Sequence, residues 1–197
     1  ALSASGTPSP VTADSSSGVF FAARFRRSRC FFNSSGATAS ILFSATISIL
    51  SSRSSLAPED ALGVALAAAF ATKSKPLIDA FKAAIPGAEG HAALTAAALM
   101  GMNNSWYPYL EMAGDDELKT QRPELRMNAY ATSGGVAKAK FEAYALAASI
   151  VGKCHFCVQS HYALLKKEGW TTQQLRDVGR IAAVVNAAAQ VIAAEQA

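Results

Sequence analysis

A chain of 197 residues can form one domain with a sizeable core, or two small helical halves that share one. Apolar residues make up 51% of it and alanine is the commonest, which excludes disorder throughout and predicts an all-α fold. The net charge of +4 comes from arginines before residue 58, where Asp14 is the one acid, so the rest lacks the basic stripe of nucleic-acid-binding proteins.

Residues 1–55 form a leader that is rich in serine, poor in acids and dotted with arginine. This composition is typical of an organelle transit segment or a weak signal-like region, and equally of a fragment or mis-assigned start without function. We expect the leader to be poorly ordered, and assign no role to Cys30 within it. A transit segment would imply organelle import.

Three cysteines are too few for a disulfide framework, so a reducing compartment such as the cytoplasm is expected. Uninterrupted apolar stretches fall well short of the roughly 20 residues that a spanning helix needs. No transmembrane segment is predicted.

The helical body is expected at 56–197. Pro58 and the acids after it predict a first helix to about Thr72, and Pro76 opens a second that ends near Pro86. A third, largely buried helix is expected from about 90 to 102, ended by Gly101 and the following asparagines.

Residues 107–135 are expected to connect two halves, with short helices around 109–112 and 123–130. Three helices should follow. "VAKAKFEAYALAASIVG" ends at Gly152, "KCHFCVQSHYALLKKEG" ends at Gly169, and the last begins at a capping box of Thr171 and Gln174.

The two halves align with each other. "VALAAAFATKS" at 64–74 matches "YALAASIVGKC" at 144–154, which indicates a degenerate internal repeat. We therefore predict an inert repeat at about 56–106 and an active repeat at 136–197. In this register Leu62, Leu77 and Phe81 of the first half stand where the second half has Glu142, Cys157 and His161.

The reactive groups of the second half share one helix face. Cys154, Cys157 and His161 are spaced by three and four residues, whereas His155 points about 100° away. Cys154 falls near a helix N-terminus, which favours thiolate over thiol, and a thiolate attacks peroxide oxygen or disulfide sulfur. The second cysteine can then close a disulfide.

Glu142 is an isolated acid on an apolar helix and needs a partner. If the chain folds back at Gly152, its carboxylate can hydrogen-bond His161 and form a proton relay to the thiol. A zinc site of Cys154, Cys157, His161 and Glu142 is an alternative, although a second short-spaced ligand pair is missing. Inert, buried cysteines are another.

Three stretches of the body resemble the alkyl hydroperoxide reductase D (AhpD) family, within the carboxymuconolactone decarboxylase-like superfamily. They are "HAALTAAALMGMNNSWY", "RPELRMN" with "AKAKFEAYALAASIVGKC", and "CHFCVQSHYALLKKEG". The similarity runs from about Ser52 to the C-terminus. It implies an all-helical fold from a duplicated unit, assembled as a homotrimer.

The resemblance also implies a thiol-dependent antioxidant activity. Organic hydroperoxides and the partner peroxiredoxin AhpC would be reduced, with electrons from lipoamide carried by a lipoylated acyltransferase. No bound cofactor is expected. By motif position Cys157 resembles the peroxide-attacking thiol, Cys154 its disulfide partner, and Glu142 and His161 the proton relay. The helix-end argument instead favours Cys154 as the more acidic thiol, so the assignment stays open.

One position departs from the family motif. In the family motif a second histidine often stands directly before the second cysteine. This chain has Phe156 at that position, and its histidine is one position earlier, at His155. Adjacent residues on a helix point about 100° apart, so His155 cannot simply replace a histidine at position 156. The expected proton relay is then shortened to Glu142 and His161. A lactone-processing or decarboxylating enzyme, as elsewhere in the superfamily, is the competing function.

Overall fold

The computed structural model describes residues 53–85, 87–125, 130 and 135–196. The predicted leader therefore lies outside the described residues, apart from its last three. Within the described part the chain forms seven helices and no strand, which confirms the all-α fold. The helices are α1 (Pro58–Thr72), α2 (Lys75–Ala84), α3 (Gly87–Ala113), α4 (Asp116–Thr120), α5 (Lys138–Gly152), α6 (His155–Lys167) and α7 (Thr172–Gln196).

Four long helices build the core. α1 and α5 pack against each other, and α3 and α7 each pack against both of them. Alanine lines these contacts, and small side chains let the helices approach closely. At Gly63 α1 approaches α5 so closely that a Cβ there would overlap the ring of Tyr144.

The two halves share local geometry as well as sequence. α1 and α5 are each 15 residues long, and each is followed by a C-cap lysine in the left-handed conformation, Lys73 with φ of 63° and Lys153 with φ of 56°. In each case two residues separate the helix from the next one, α2 or α6. This agreement supports the duplicated unit, and the first-half counterparts of the reactive groups are buried in the core: Leu62, Leu77 and Phe81.

A partly buried ionic cluster joins the halves. Lys140 Nζ lies 2.8 Å from Asp60 Oδ1 on α1 and 2.8 Å from Glu89 Oε1 on α3. Burial alone would lower the pKa of Lys140, but the hydrogen bonds and charges of the two carboxylates outweigh it and raise the pKa. Burial, then the nearby acids, raises the pKa of Tyr144, which keeps its phenol neutral.

The end of the predicted leader is attached to the body. Ser55 donates from its backbone N and its Oγ to Asp177 Oδ2, at 2.8 Å each. Arg180 donates to Asp177 Oδ1 at 3.0 Å and to the Arg53 carbonyl at 3.2 Å. Residues 53–55 thus belong structurally with α7, upstream of the boundary expected at residue 56.

Several helix ends match the sequence prediction. α1, α2, α5 and α6 end within a few residues of the expected positions. The capping box at the start of α7 is present, because Gln174 N donates to Thr171 Oγ1 at 3.2 Å and Thr171 N donates to Gln174 Oε1 at 2.9 Å.

The predicted end of the third helix is wrong. α3 continues past Gly101 and Pro108 to Ala113, so it absorbs the short helix expected at 109–112 and the start of the connector predicted at 107–135. Tertiary contacts outweigh the local stop signals: Asn103 is buried, and Asn104 Nδ2 donates to the Ala148 carbonyl of α5 at 3.1 Å.

The connector itself contains a helix that the sequence prediction missed. α4 is capped by Asp115, whose carboxylate accepts from Glu117 N and Leu118 N. The "DDELK" stretch, with acids first and lysine later, is the signal that could have found it. Of the helix expected at 123–130, residues 123–125 are not helical, Tyr130 is helical, and residues 126–129 lie outside the described residues.

Among the described residues, α7 is long and apolar enough to cross a membrane by length and composition alone. An 18-residue window of this helix has a mean hydropathy of 1.3. Core helices of water-soluble proteins meet the same test, and 44% of this window is buried inside the protein. Its packing against α1 and α5 accounts for its apolar residues, and it carries the buried Asp177.

Candidate active site

The two cysteines of the motif are joined in a disulfide at the start of α6. Cys154 and Cys157 have Cα atoms 5.3 Å apart, and both side chains are buried. This spacing is the ordinary one for a disulfide. The sequence analysis placed the two sulfurs on one helix face, and the structure brings them together there.

A tight turn sets the position of the disulfide. α5 ends at Gly152, Lys153 takes the left-handed conformation, and Cys154 N donates to the Ser149 carbonyl at 3.3 Å. Cys154 is then the N-cap of α6, and its Sγ accepts a hydrogen bond from Cys157 N at 3.2 Å. An unpaired backbone N–H at a helix start therefore points at sulfur, where it can stabilise negative charge.

Glu142 and His161 form the contact expected between the two helices. Glu142 Oε2 lies 2.7 Å from His161 Nδ1, and the side chains are 14% and 16% exposed. The turn at residues 153–154 folds α6 back along α5 and makes this contact. His161 follows Cys157 by four residues on α6, so the two side chains are neighbours on one helix face.

Met100 on α3 is a further site residue, missed by the sequence analysis. Its Sδ lies 3.1 Å from His161 Nε2, and the residue is 1% exposed. Nothing in the local pattern of a long alanine-rich helix distinguishes this methionine from an ordinary core residue. Its role depends on how α3 packs beside α6, which spacing alone does not reveal.

α3 also supports the turn before the cysteines. Asn104 lies directly against Gly152, where an added Cβ would overlap the amide side chain. The same amide donates to the Ala148 carbonyl. Gly152 therefore allows α3 to approach the end of α5, in addition to ending the helix.

The two residues between the cysteines are exposed. His155 is largely in solvent and its Nδ1 lies 3.3 Å from Glu111 Oε1, consistent with the solvated role expected for it. Phe156, at the position where the resemblance led us to expect a histidine, is 53% exposed and stacks on Tyr107 with ring centroids 4.3 Å apart. An aromatic surface thus lies beside the disulfide.

The zinc alternative finds no support in this arrangement. Both sulfurs are used by the disulfide. Across the described ranges, no group of three or more His, Cys, Asp or Glu side chains is placed to hold a metal ion.

Comparison with known proteins first defines the class. Residues 116–197, which include the disulfide and the Glu142–His161 pair, match the model of the carboxymuconolactone decarboxylase family. The part of the chain that carries the buried disulfide at a helix start is thus similar to this family.

Full-length relatives then narrow the assignment. The alkyl hydroperoxide reductase AhpD of Maricaulis maris is 43% identical over 137 residues, covering 68% of this chain and 79% of the relative. AhpD of Rhodospirillum centenum is 39% identical over 151 residues, covering 73% and 79%, and AhpD of Coxiella burnetii is 37% identical over 142 residues, covering 70% and 80%. The chain belongs to the alkyl hydroperoxide reductase AhpD family, as its sequence motifs predicted.

Proposed function

We propose that the protein is a thiol-dependent alkyl hydroperoxide reductase and disulfide reductase whose redox centre is the Cys154–Cys157 pair. The observation that carries the proposal is the coupling of this disulfide to a buried acid and base. One helix, α6, begins at the disulfide and presents His161 to Glu142 at 2.7 Å. The names of the relatives, alkyl hydroperoxide reductases, support the same chemistry.

The peroxide half of the cycle needs two thiols and one proton donor. A cysteine thiolate attacks the terminal peroxide oxygen, the O–O bond breaks, and the alkoxide leaves as alcohol after taking a proton. The cysteine is now a sulfenic acid. The second cysteine attacks its sulfur, releasing water and forming the disulfide. The Glu142–His161 pair is positioned to supply and recover protons in both steps.

The geometry suggests a division of roles between the cysteines. Cys157 lies one turn before His161, which suits the attack on peroxide and agrees with the family motif. Cys154 accepts the Cys157 N–H, which suits a thiolate that resolves the sulfenic acid and later leaves from the disulfide. The helix-end argument and the motif then describe different steps of one cycle.

Reduction of the disulfide completes the cycle. A dithiol donor attacks one sulfur, expels the other as thiolate, and closes its own disulfide, so two electrons pass to the cysteine pair. We propose dihydrolipoamide on a lipoylated acyltransferase as this donor, and the peroxiredoxin AhpC as a partner that receives the electrons. Homotrimer formation is part of the same proposal. Membership of the AhpD family supports all three.

Single cysteine variants test the proposal. Cys154→Ser and Cys157→Ser should each abolish lipoamide-dependent consumption of cumene hydroperoxide, because neither can complete the disulfide cycle. Cys30→Ser is the matched control, since it removes a thiol outside the motif, and it should retain the wild-type rate. Full peroxidase activity in both motif variants would exclude this function. Lactone-processing activity that survives thiol alkylation would favour the competing function.

A further inference from the structure

His161 is held from both sides of its ring. Its Nδ1 faces the Glu142 carboxylate at 2.7 Å from α5, and its Nε2 faces the Met100 thioether at 3.1 Å from α3. Met100 is 1% exposed, so water does not compete for its sulfur. Two helices thus fix the orientation of the one imidazole that the cysteine helix contributes to the site.

The chemistry of these two neighbours restricts where the ring carries hydrogen. An ionised carboxylate only accepts hydrogen bonds, and a thioether sulfur is a weak acceptor with no hydrogen to donate. A ring nitrogen without hydrogen would place its lone pair against another lone pair at Met100. Both contacts are satisfied together when each nitrogen bears hydrogen, which is the imidazolium form.

We propose that Met100 is a positioning residue that keeps a proton on His161 Nε2 while the cysteines are joined in the disulfide. The inference rests on the proposed function, in which His161 serves as the proton relay. Met100 acts through the imidazole ring, which its sulfur contacts at 3.1 Å. It holds the ring in its protonated form between the peroxide half and the reduction half of the catalytic cycle.

Other charged groups nearby do not provide this restraint. Among the described residues, Glu142 is the titratable group that contacts the ring. Glu111 on α3 contacts His155, at the start of α6, instead. A side chain that fills the same space without an acceptor would therefore leave Nε2–H unpaired in a buried site.

The direct test is the nitrogen NMR spectrum of the imidazoles in the oxidised protein at pH 7. The chain has three histidines, so His91→Asn and His155→Asn variants assign the His161 signals. In the wild type, both nitrogens of His161 should show the shifts of protonated nitrogen. In Met100→Leu, which keeps the volume and removes the acceptor, the ratio of doubly protonated to neutral ring should fall about fivefold, the size of one neutral hydrogen bond.

A rescue variant and a matched control complete the design. Met100→Gln restores an acceptor of similar reach and should return the spectrum toward the wild type, whereas Met102→Leu removes a methionine two positions away and should leave it unchanged. Far-UV circular dichroism confirms that each variant is folded. The proposal would be overturned if Nε2 of His161 carries no hydrogen in the wild type. Identical His161 spectra in the wild type and in Met100→Leu would also overturn it.

The outcome is separable from that of the proposed function. The spectra are recorded on the disulfide form and need no turnover, so they can support the role of Met100 even if the cysteine variants prove active. Conversely, inactive cysteine variants with unchanged His161 spectra would leave the peroxidase standing and remove Met100 from the account.

Discussion

The carboxylate of Glu142 and the imidazole of His161 lie 2.7 Å apart on two helices joined by a two-residue turn. Both side chains are more than four-fifths buried. The contact fixes which ring nitrogen faces α5, and it places an acid and a base one helical turn beyond the disulfide. Proton transfer at the cysteines can therefore use groups whose positions are set before substrate arrives.

Glu142→Gln should lower kcat/KM for hydroperoxide reduction by about 100-fold or more, because the amide keeps the shape of the carboxylate but lacks its charge and cannot take up a proton. The measurement is dihydrolipoamide-dependent consumption of cumene hydroperoxide. Glu111→Gln is the matched control, since Glu111 contacts the exposed His155, and it should be near wild type. A wild-type rate in Glu142→Gln would remove the relay from the mechanism.

Lys140→Met should destabilise the fold, because it leaves the carboxylates of Asp60 and Glu89 partly buried without their cation. We expect a loss of about 2–3 kcal/mol in the free energy of unfolding by urea, below the range for fully buried pairs. A triple variant that also carries Asp60→Asn and Glu89→Gln should recover much of this loss. Equal stability of the single and triple variants would contradict the electrostatic explanation.

Two glycine-to-alanine substitutions should change the free energy of unfolding in opposite directions. Gly152→Ala forces Asn104 away from its bond to Ala148, which should cost about 1–3 kcal/mol. Gly179→Ala places a methyl in open space on α7 and should stabilise by about 0.5–1 kcal/mol. Urea unfolding of the two variants checks the pair, and a neutral Gly152→Ala would show that α3 does not press on the turn.

Asp177 should make stability depend on pH in the acid range. Its side chain is 0% exposed. Desolvation by itself would raise its pKa, but hydrogen bonds from Ser55, Arg180 and Arg176 outweigh it and lower the pKa to about 2 from 3.8. A carboxyl group whose pKa is lower in the folded state stabilises the fold at pH values above its unfolded-state pKa. The contribution of Asp177 is therefore complete above about pH 4 and is lost as the pH falls toward 2.

Asp177→Asn should therefore lower the unfolding free energy by about 2 kcal/mol at pH 7, with a difference from wild type that shrinks between pH 4 and 2. Asp116→Asn is the control, because its ion pair with Lys119 is exposed, and it should change stability little. A difference that stays constant from pH 7 to 2 would mean that packing, not ionisation, explains the effect of Asp177.

The sequence predicted those features that local patterns determine. The apolar periodicity and capping residues located most helices, and the three- and four-residue spacing grouped the cysteines with His161. The isolation of Glu142 on an apolar helix indicated that its carboxylate needed a partner. A turn expected at Gly152 would bring His161 of the next helix close enough to be that partner. These predictions succeeded because each depends on neighbouring residues within one helix or one hairpin.

The features that the sequence did not reveal depend on tertiary packing. α3 runs through Gly101 and Pro108 because buried Asn103 and the Asn104 bond to α5 stabilise it beyond the local stop signals. Met100 reaches His161 across 61 positions of the chain, and Lys140 joins two acids from other helices. No spacing rule links such residues, so only the packed fold identifies them.

The central claim is that Cys154 and Cys157 alternate between dithiol and disulfide as peroxide is consumed. Mass spectrometry of the fully reduced protein after one equivalent of cumene hydroperoxide tests it most directly. The account predicts a product two hydrogens lighter, with a Cys154–Cys157 disulfide found on proteolytic mapping and one alcohol released per chain. Peroxide consumed while both cysteines remain as free thiols would contradict it.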